Sequence, residues 1–589
     1  GIIGRRPYTL TLAPHTHFWL VLKRSGQVMR VFDREMLPTI RVTGGVEKVL
    51  SGEPRRGLEE VVLPGYMRMS RWFGSKAKKI RSVRIAESIP FDSAGAFGAL
   101  LLLDVAYATG EQERYCLPVS YAGEQLADAI REESPQTIIG VVESGTDGTS
   151  GILYDSSADS AFHRALFLLM ADKGRIRGAR GMLRGRRGDS GLAAIDTDEK
   201  VPPSHLLKAE QSNTSIRFGE SYFLKIYRKL DRGTNPEVEL LGFLTSKTRF
   251  RHAPGYAGSI EFRSGSAEPT SVAIMQSFVR ADGEAWGYFR DAAGHYFDHL
   301  LEQRPEEELE HALPSLLEAG PDRIPEPLSR RVGDKPLRLA ALLGQRTAEL
   351  HRALGSRRDV PLFAPEPLDR SYLGGLYRSM DALAGRALDA LATRRTHLPP
   401  SVQEPARAVL ARRDDIRARL KAVTNITGGG MRIRIHGDYH LGQVLRIGND
   451  FIIMDFEGEP ARPVRERKEK YPPFKDVAGM VRSFHYAAYG NLLLGRGVRS
   501  ADVALLERWA GPWYLCTAGA FLRGYLDTIG AESIVPKGAR QRRALLDVFL
   551  LEKSVYELLY ELNNRPAWSA IPMKGIVNIL SSYEGKVIV

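Results

Sequence analysis

Two aspartates, Asp438 and Asp455, bracket a short strand-patterned stretch in a half of the chain that otherwise reads as helices. The runs Gln443 to Ile447 and Asp450 to Met454 alternate or run apolar, as the two arms of a hairpin do. In front stands Ile435-His436-Gly437-Asp438-Tyr439-His440-Leu441-Gly442-Gln443, preceded by the strand-like Arg432 to Ile435. Behind it comes Asp455-Phe456-Glu457-Gly458. A hairpin holds its ends side by side, so a loop carboxylate, an amide five residues later and a second carboxylate are supplied as one set. Such a chain folds as a mixture of α and β.

Length and composition set the frame. At 589 residues the chain exceeds one compact domain, and a core of ordinary size is available because 43% of it is hydrophobic. No apolar run approaches the roughly 18 residues that span a bilayer, so no membrane partner is expected. The greasiest stretch, Ala99 to Leu103, is broken by Asp104 and reads as a buried strand. Gly1 stands where a starting Met would be, with no secretory leader, and the expectation is a fragment of a larger polypeptide. Cys116 and Cys516 offer neither a disulfide framework nor a metal knuckle, which points to the reducing cytoplasm. The net charge of +13 is densest from Lys173 to Arg187, where glycine interleaves with arginine. That run lacks the aromatic residues that stack on bases, so it is expected to be a solvated, mobile loop rather than a nucleic-acid surface.

Along the chain, Tyr8 to Leu12 and His17 to Leu22 read as strands, and residues 51–65, rich in Gly and Pro, as a linker. Val83 to Ile89, Ala99 to Ala108 and Gln112 to Val119 read as sheet strands, and His163 to Asp172 as a helix. Thr214 to Phe218 and Tyr222 to Tyr227 flank a Gly219-Glu-Ser turn, and Asn235-Pro236 opens a helix with Asn as its cap. Ser271 to Phe278 is a further strand. Beyond about residue 286 the chain is mainly helical, with Arg338 to Leu354 and Lys553 to Leu562 as examples.

The set around the hairpin fits phosphoryl transfer. That chemistry needs a carboxylate to align a hydroxyl and take its proton, and oxygen ligands to hold Mg²⁺ on the phosphates. Asp438 is the expected general base, Gln443 and Asp455 the metal ligands, and His436 a brace of the loop. This is the H-R-D-x-x-x-x-N … D-F-G arrangement of kinases in variant form, with Gly437, Gln443 and Glu457 as the departures. Upstream, Lys225 lies mid-strand where a lysine contacts α- and β-phosphates, and Glu239 rather than Glu237 is expected to pair with it. No G-x-G-x-x-G is present. Gln211-Ser-Asn213-Thr-Ser215 stands where the phosphate-covering loop would be, and Gln276 to Val279 where backbone groups would read adenine. The i, i+4 pair His436 and His440 falls in a glycine-containing loop and is not read as a zinc site.

Beyond the general kinase pattern, His436 to Gln443, Ile453-Met-Asp-Phe-Glu-Gly-Glu-Pro460 and Lys475 to Phe484 resemble the signature blocks of bacterial maltokinases. Similar blocks are Arg71-Trp-Phe-Gly-Ser-Lys76, Gln211 to Ser215 with Phe223 to Ile226, Arg346 to His351, Glu552 to Glu557 and Asn564 to Trp568. They occur in the family's order from about residue 66 to the end. The resemblance implies an α+β, bilobal, eukaryotic-kinase-like (aminoglycoside-phosphotransferase-like) fold with an N-terminal α/β cap, preceded by a short β segment. The implied boundaries are cap at 66–195, nucleotide-binding lobe at 196–285 and helical lobe with catalytic loop and sugar site at 286–589. The implied reaction converts maltose and ATP, with Mg²⁺, into maltose 1-phosphate for α-glucan synthesis. Residues 1–50 are similar to the closing β-domain and linker of trehalose synthases, so a trehalose synthase catalytic domain, fused or in complex, is the implied partner.

The sugar contacts rest on the same resemblance. Lys553, Tyr556 and Tyr560 follow one helical stripe and would face maltose, joined by Trp568, with His436 also counted among the substrate-facing residues. The competing readings are an aminoglycoside or other small-alcohol phosphotransferase on the same fold, and a pseudokinase scaffold in a synthase assembly.

Overall fold

A computed structural model describes residues 37–589 apart from 92–96, 146–149, 190–200, 208–211, 305–313, 320–322, 427–429, 495–499, 531, 533 and 582–589. The strands expected at Tyr8 to Leu12 and His17 to Leu22, and Gln211, therefore lie outside the described residues. The chain divides into two compact units, one of residues 1–70, 95–97 and 119–156, the other of 71–94, 98–118 and 157–589.

In the first unit Thr39–Val42 runs parallel to Ile138–Ser144, which pairs antiparallel with Ser150–Asp155. The expected linker at 51–65 is instead helical, continuing to Met69. Leu58, Val62, Leu63, Tyr66 and Met67 recur at helical spacing and are all buried, with Leu58, Leu63 and Met67 fully so. Pro64 sits in the first turn of its helix, where its missing N–H is not needed. Burial of one apolar stripe thus overrides the Gly and Pro content.

The second unit holds an antiparallel sheet of seven strands. Its order is Arg175–Arg177, Met182–Arg187, Tyr256–Arg263, Thr270–Ser277, Tyr222–Tyr227, Asn213–Phe218, Ser204–Leu207. The Arg/Gly run is a hairpin at the edge of this sheet, not a loop closing the cap. Alternation explains it: Leu183 turns inward while Arg175, Arg177 and Arg184 turn out. The Glu87 carboxylate accepts N–H bonds from Ala179 (2.7 Å) and Arg180 (2.8 Å) at the hairpin tip. A Cβ on Gly185 would fall 1.7 Å from the Leu169 carbonyl oxygen, so only glycine lets helix Ser160–Ala171 settle on the sheet.

The Arg71 to Lys76 block meets this lobe through one carboxylate. Glu113 accepts from Tyr107 (2.5 Å), Tyr115 (2.7 Å), Ser75 (2.9 Å) and Lys229 (2.8 Å). Burial pushes its carboxyl up, but these donors outweigh that and bring it down to about 2. A depressed carboxylate contributes stability above its unfolded pKa near 4.5, and that contribution is lost as pH falls toward 2. Glu113→Gln should therefore lower the free energy of unfolding at pH 7 by about 1–3 kcal/mol, and flatten the fall of the melting midpoint between pH 5 and pH 3. Thermal melts across that range are the measurement, and an unchanged pH slope would refute the role of this carboxylate.

Beyond Ala285 the unit is helical, and the described helices include none long and apolar enough to cross a membrane. Within it Val444–Ile447 and Asp450–Ile453 form the expected hairpin. The strand expected at Arg432 to Ile435 shrinks to Met431–Arg432, paired with Glu366–Pro367, because Ile433 keeps only an isolated bridge to Tyr471.

Candidate active site

Lys225 projects from the middle of Tyr222–Tyr227 and is 4% exposed. Its Nζ lies 2.5 Å from Asp455, 2.6 Å from Glu457 and 3.3 Å from Glu237. Glu237, not Glu239, is thus the helix partner. The reason is helical phase: Asn235 caps the helix by accepting the Glu237 N–H (2.8 Å), which aims Glu237 at the strand. Two residues on, Glu239 faces away and pairs with Arg434 (2.9 Å) and Lys468 (2.7 Å). Burial pushes the Glu237 carboxyl up to about 8. Burial opposes ionisation of Lys225 as well, but Asp455 and its neighbours raise the ammonium's pKa well above the ordinary value. Asp455 is half-buried; burial opposes its ionisation, but Lys225 outweighs that and holds it below the usual carboxylate range.

Glu457 is the residue that sequence reasoning left without a role here. Its carboxylate gathers Asn213 (3.0 Å), Asn235 (3.2 Å) and Lys225. Its position where the kinase pattern has glycine was the only signal. Asp455 has a left-handed φ of +62°, a strained state for a non-glycine residue and one met at functional loops. Gly437 (φ +86°) and Gly458 (φ +72°) keep the two loops close, since a Cβ on Gly437 would sit 3.4 Å from the Gly458 Cα.

The loop carrying Asp438 is pinned from below. Asp476, 2% exposed, accepts the N–H groups of His436 (2.8 Å) and Gly437 (2.9 Å) and pairs with His351 (3.2 Å). His436 is 1% exposed; its Nε2 donates to the Met454 carbonyl (2.8 Å) and its ring packs on Tyr439 and Phe456. It is a brace only, and the expectation that it faces the sugar is corrected: both ring nitrogens are spent on backbone groups, Nε2 on Met454 and Nδ1 on the Asp438 N–H (3.4 Å). His440 turns Nδ1 to the Gly442 N–H (3.1 Å) and does not join His436 in a metal pair. The Gln443 side-chain amide donates to Asp455 and helps to hold that carboxyl down. Among the described residues Asp455 also stands in one acidic group with Glu237 and Glu457. Oxygen donors of this kind suit a hard divalent cation such as Mg²⁺.

Across the loop, Lys553 Nζ is 3.6 Å from Asp438 and lies over the Tyr556 ring. A recess there is lined by Gly437, Glu459, Arg462, Lys475, Glu552 and Tyr556, among others. Its charged residues Lys475 and Glu552 lie in signature blocks but carry no pattern that announces a recess. Tyr560 and Trp568 are not among its lining residues, contrary to expectation. Arg565, bonded to Glu561 at 2.7 Å, lies over the Trp568 ring at 4.4 Å, Trp568 stacks on Tyr486, and Tyr560 stays 47% exposed. A second cleft is lined by Arg217, Phe278, Val279 and Leu445, which joins the expected hinge to the hairpin. Ser215 and Gln276 are buried on the strands beside Lys225.

Comparison with known proteins agrees with this architecture. Residues 66–159 match the maltokinase N-terminal cap domain. A glucosamine kinase of Streptacidiphilus jiangxiensis is 27% identical over 250 residues, 42% of this chain and 50% of that protein. One from Mycolicibacterium smegmatis (strain ATCC 700084 / mc(2)155) is 30% identical over 164 residues, 28% of this chain and 38% of that protein. The chain thus spans half or less of the curated relatives it matches. A solved glucosamine kinase in complex with glucosamine, ADP and inorganic phosphate superimposes with a TM-score of 0.54 at 18% identity. That match covers 87% of this chain and 96% of the other, and it shows a shared fold. Residues 66–159 are thus a maltokinase N-terminal cap domain, and the chain shares the α+β fold of the solved glucosamine kinase.

Proposed function

We propose that the chain is a sugar kinase that transfers the γ-phosphoryl group of ATP to the anomeric hydroxyl of maltose, giving maltose 1-phosphate. The observation that carries this reading is the joining of Lys225 to Asp455 at 2.5 Å, on the hairpin whose other end holds Asp438 beside Lys553. Asp438 takes the proton as the sugar oxygen bonds to the γ-phosphorus, while the bond from that phosphorus to the β–γ bridging oxygen breaks and ADP leaves. Asp455 and Gln443 would hold Mg²⁺, which neutralises phosphate charge when bound. Lys225 would leave its carboxylate partners for the nucleotide phosphates, with Asn213 and Ser215 beside them. Lys553 and Tyr556 would orient the acceptor. Trehalose synthase as a covalent or non-covalent partner, and a cytoplasmic setting, are proposed on sequence grounds.

Glucosamine is the acceptor that the named relatives suggest, and the recess argues against it. Glu552 is taken by Lys475 at 2.6 Å, Asp438 by Lys553, and Glu459 by the Tyr556 hydroxyl. Arg462, Lys475 and Lys553 already balance these three carboxylates, so an added ammonium group gains little charge attraction here, whereas neutral hydroxyls can join the partners present. The purified chain should therefore consume ATP with maltose and Mg²⁺, with glucosamine, glucose, trehalose and kanamycin as poor acceptors. A sugar panel with product mapping is the test. Efficient turnover of glucosamine or kanamycin with none on maltose would overturn the assignment of the acceptor.

A further inference from the structure

We infer that the side-chain amide of Gln276 reads the 6-position of the purine base, and that it does so with either face of the amide. The inference rests on the kinase reading above and extends it to base selection. In the sheet, Lys225 stands opposite Ser215 and Ile274, and Phe223 opposite Gln276. Side chains alternate with a period of two, so Ser215, Arg217, Phe223, Lys225, Ile274 and Gln276 share one face. It is the face from which Lys225 reaches Asp455.

Along that face Gln276 lies two residues, about 7 Å, beyond the Ile274 that neighbours Lys225. It immediately precedes the end of its strand and the residues Phe278 and Val279 that line the second cleft with Leu445. A nucleotide with its phosphates at Lys225 and its base over Leu445 turns its outer edge to this strand end. There Gln276 is 5% exposed, and its Oε1 is buried with no hydrogen-bond partner. Buried polar atoms are nearly always paired, so an orphan two residues before the cleft-lining Phe278 is a group that a ligand can complete.

No hydrogen bond to a described residue fixes the other end of the amide either. A half-turn about its terminal torsion therefore breaks nothing, because that torsion is broad and two-fold. With the carbonyl forward, Gln276 accepts from a 6-amino group. With the NH₂ forward, it donates to a 6-oxo group. Charged or apolar replacements lose that choice: Glu only accepts, and Leu does neither.

The test uses the whole chain and three triphosphates: ATP, inosine triphosphate, and purine riboside triphosphate, which has no 6-substituent. Dissociation constants are measured for the unsubstituted protein, Gln276→Glu and Gln276→Leu, with melting midpoints as a check on folding. The unsubstituted chain should bind ATP and inosine triphosphate within about tenfold of each other. Gln276→Glu should keep ATP and weaken inosine triphosphate by about tenfold or more, and Gln276→Leu should weaken both but leave purine riboside triphosphate unchanged. Equal effects on all three, or none, would overturn the role of Gln276 while ATP-dependent turnover of maltose left the kinase reading intact. Failure of every triphosphate to bind the unsubstituted chain would remove both.

Discussion

Asp438→Asn should lower turnover by about 10²–10⁴-fold while nucleotide affinity is retained. The substitution keeps the shape of the side chain and its ability to hydrogen-bond, and removes its negative charge and basicity. Its loop is fixed by Asp476 through the His436 and Gly437 N–H groups, so the backbone should hold its place. Lys553 loses its carboxylate partner at 3.6 Å, and this should be felt as a change in the maltose KM rather than in nucleotide binding. Steady-state kinetics with separate nucleotide titrations make the check. Near-normal turnover would rule out Asp438 as the base.

Asp455→Asn should fail differently. Asp455 is proposed to ligate Mg²⁺ directly, so turnover at limiting metal should fall by about 10²–10³-fold. Added Mg²⁺ or Mn²⁺ should recover part of it. The same titration should do nothing for Asp438→Asn. If the two variants respond alike to metal, the division between base and ligand is wrong. Lys225 also loses its nearest partner in Asp455→Asn but keeps Glu457 and Glu237, so the strand should stay anchored.

Much of the site could be read from the chain because its spacing is local. Asp438, Gln443 and Asp455 belong to one hairpin, and hairpin pairing is a short-range rule. Lys225 was visible as a charged residue inside an apolar strand. What could not be read depended on phase and on distant partners. Glu237 and Glu239 differ by two positions on a helix, and only the Asn235 cap bond decides which one faces the lysine. His436 has the right chemistry for a sugar contact, but the Met454 carbonyl that captures it belongs to the hairpin's far arm. Trp568 fits an aromatic platform until Arg565 is found over its ring, and Tyr560 fits one until the recess is found to be lined without it. The fold class followed from the alternation of strand and helix patterns. The Arg/Gly hairpin was missed because charge masked the weak signal of Ile176 and Leu183, and the helices at 51–65 because Gly and Pro outweighed the apolar stripe.

The joining of Lys225 to Asp455 spans 230 positions of sequence, and Lys553 reaches Asp438 from the last but one α-helix among the described residues. Closing such long loops comes late, because their entropy is recovered only when the distant surfaces meet. The hairpin and its loops can form early, yet neither the lysine nor the acceptor-facing helix is at hand until the lobes have closed. A half-folded chain therefore carries the acid residues without the groups that would make them act on ATP. Catalytic competence arrives with the final tertiary contacts, so activity regained during refolding should lag behind secondary structure and report on completion of the fold.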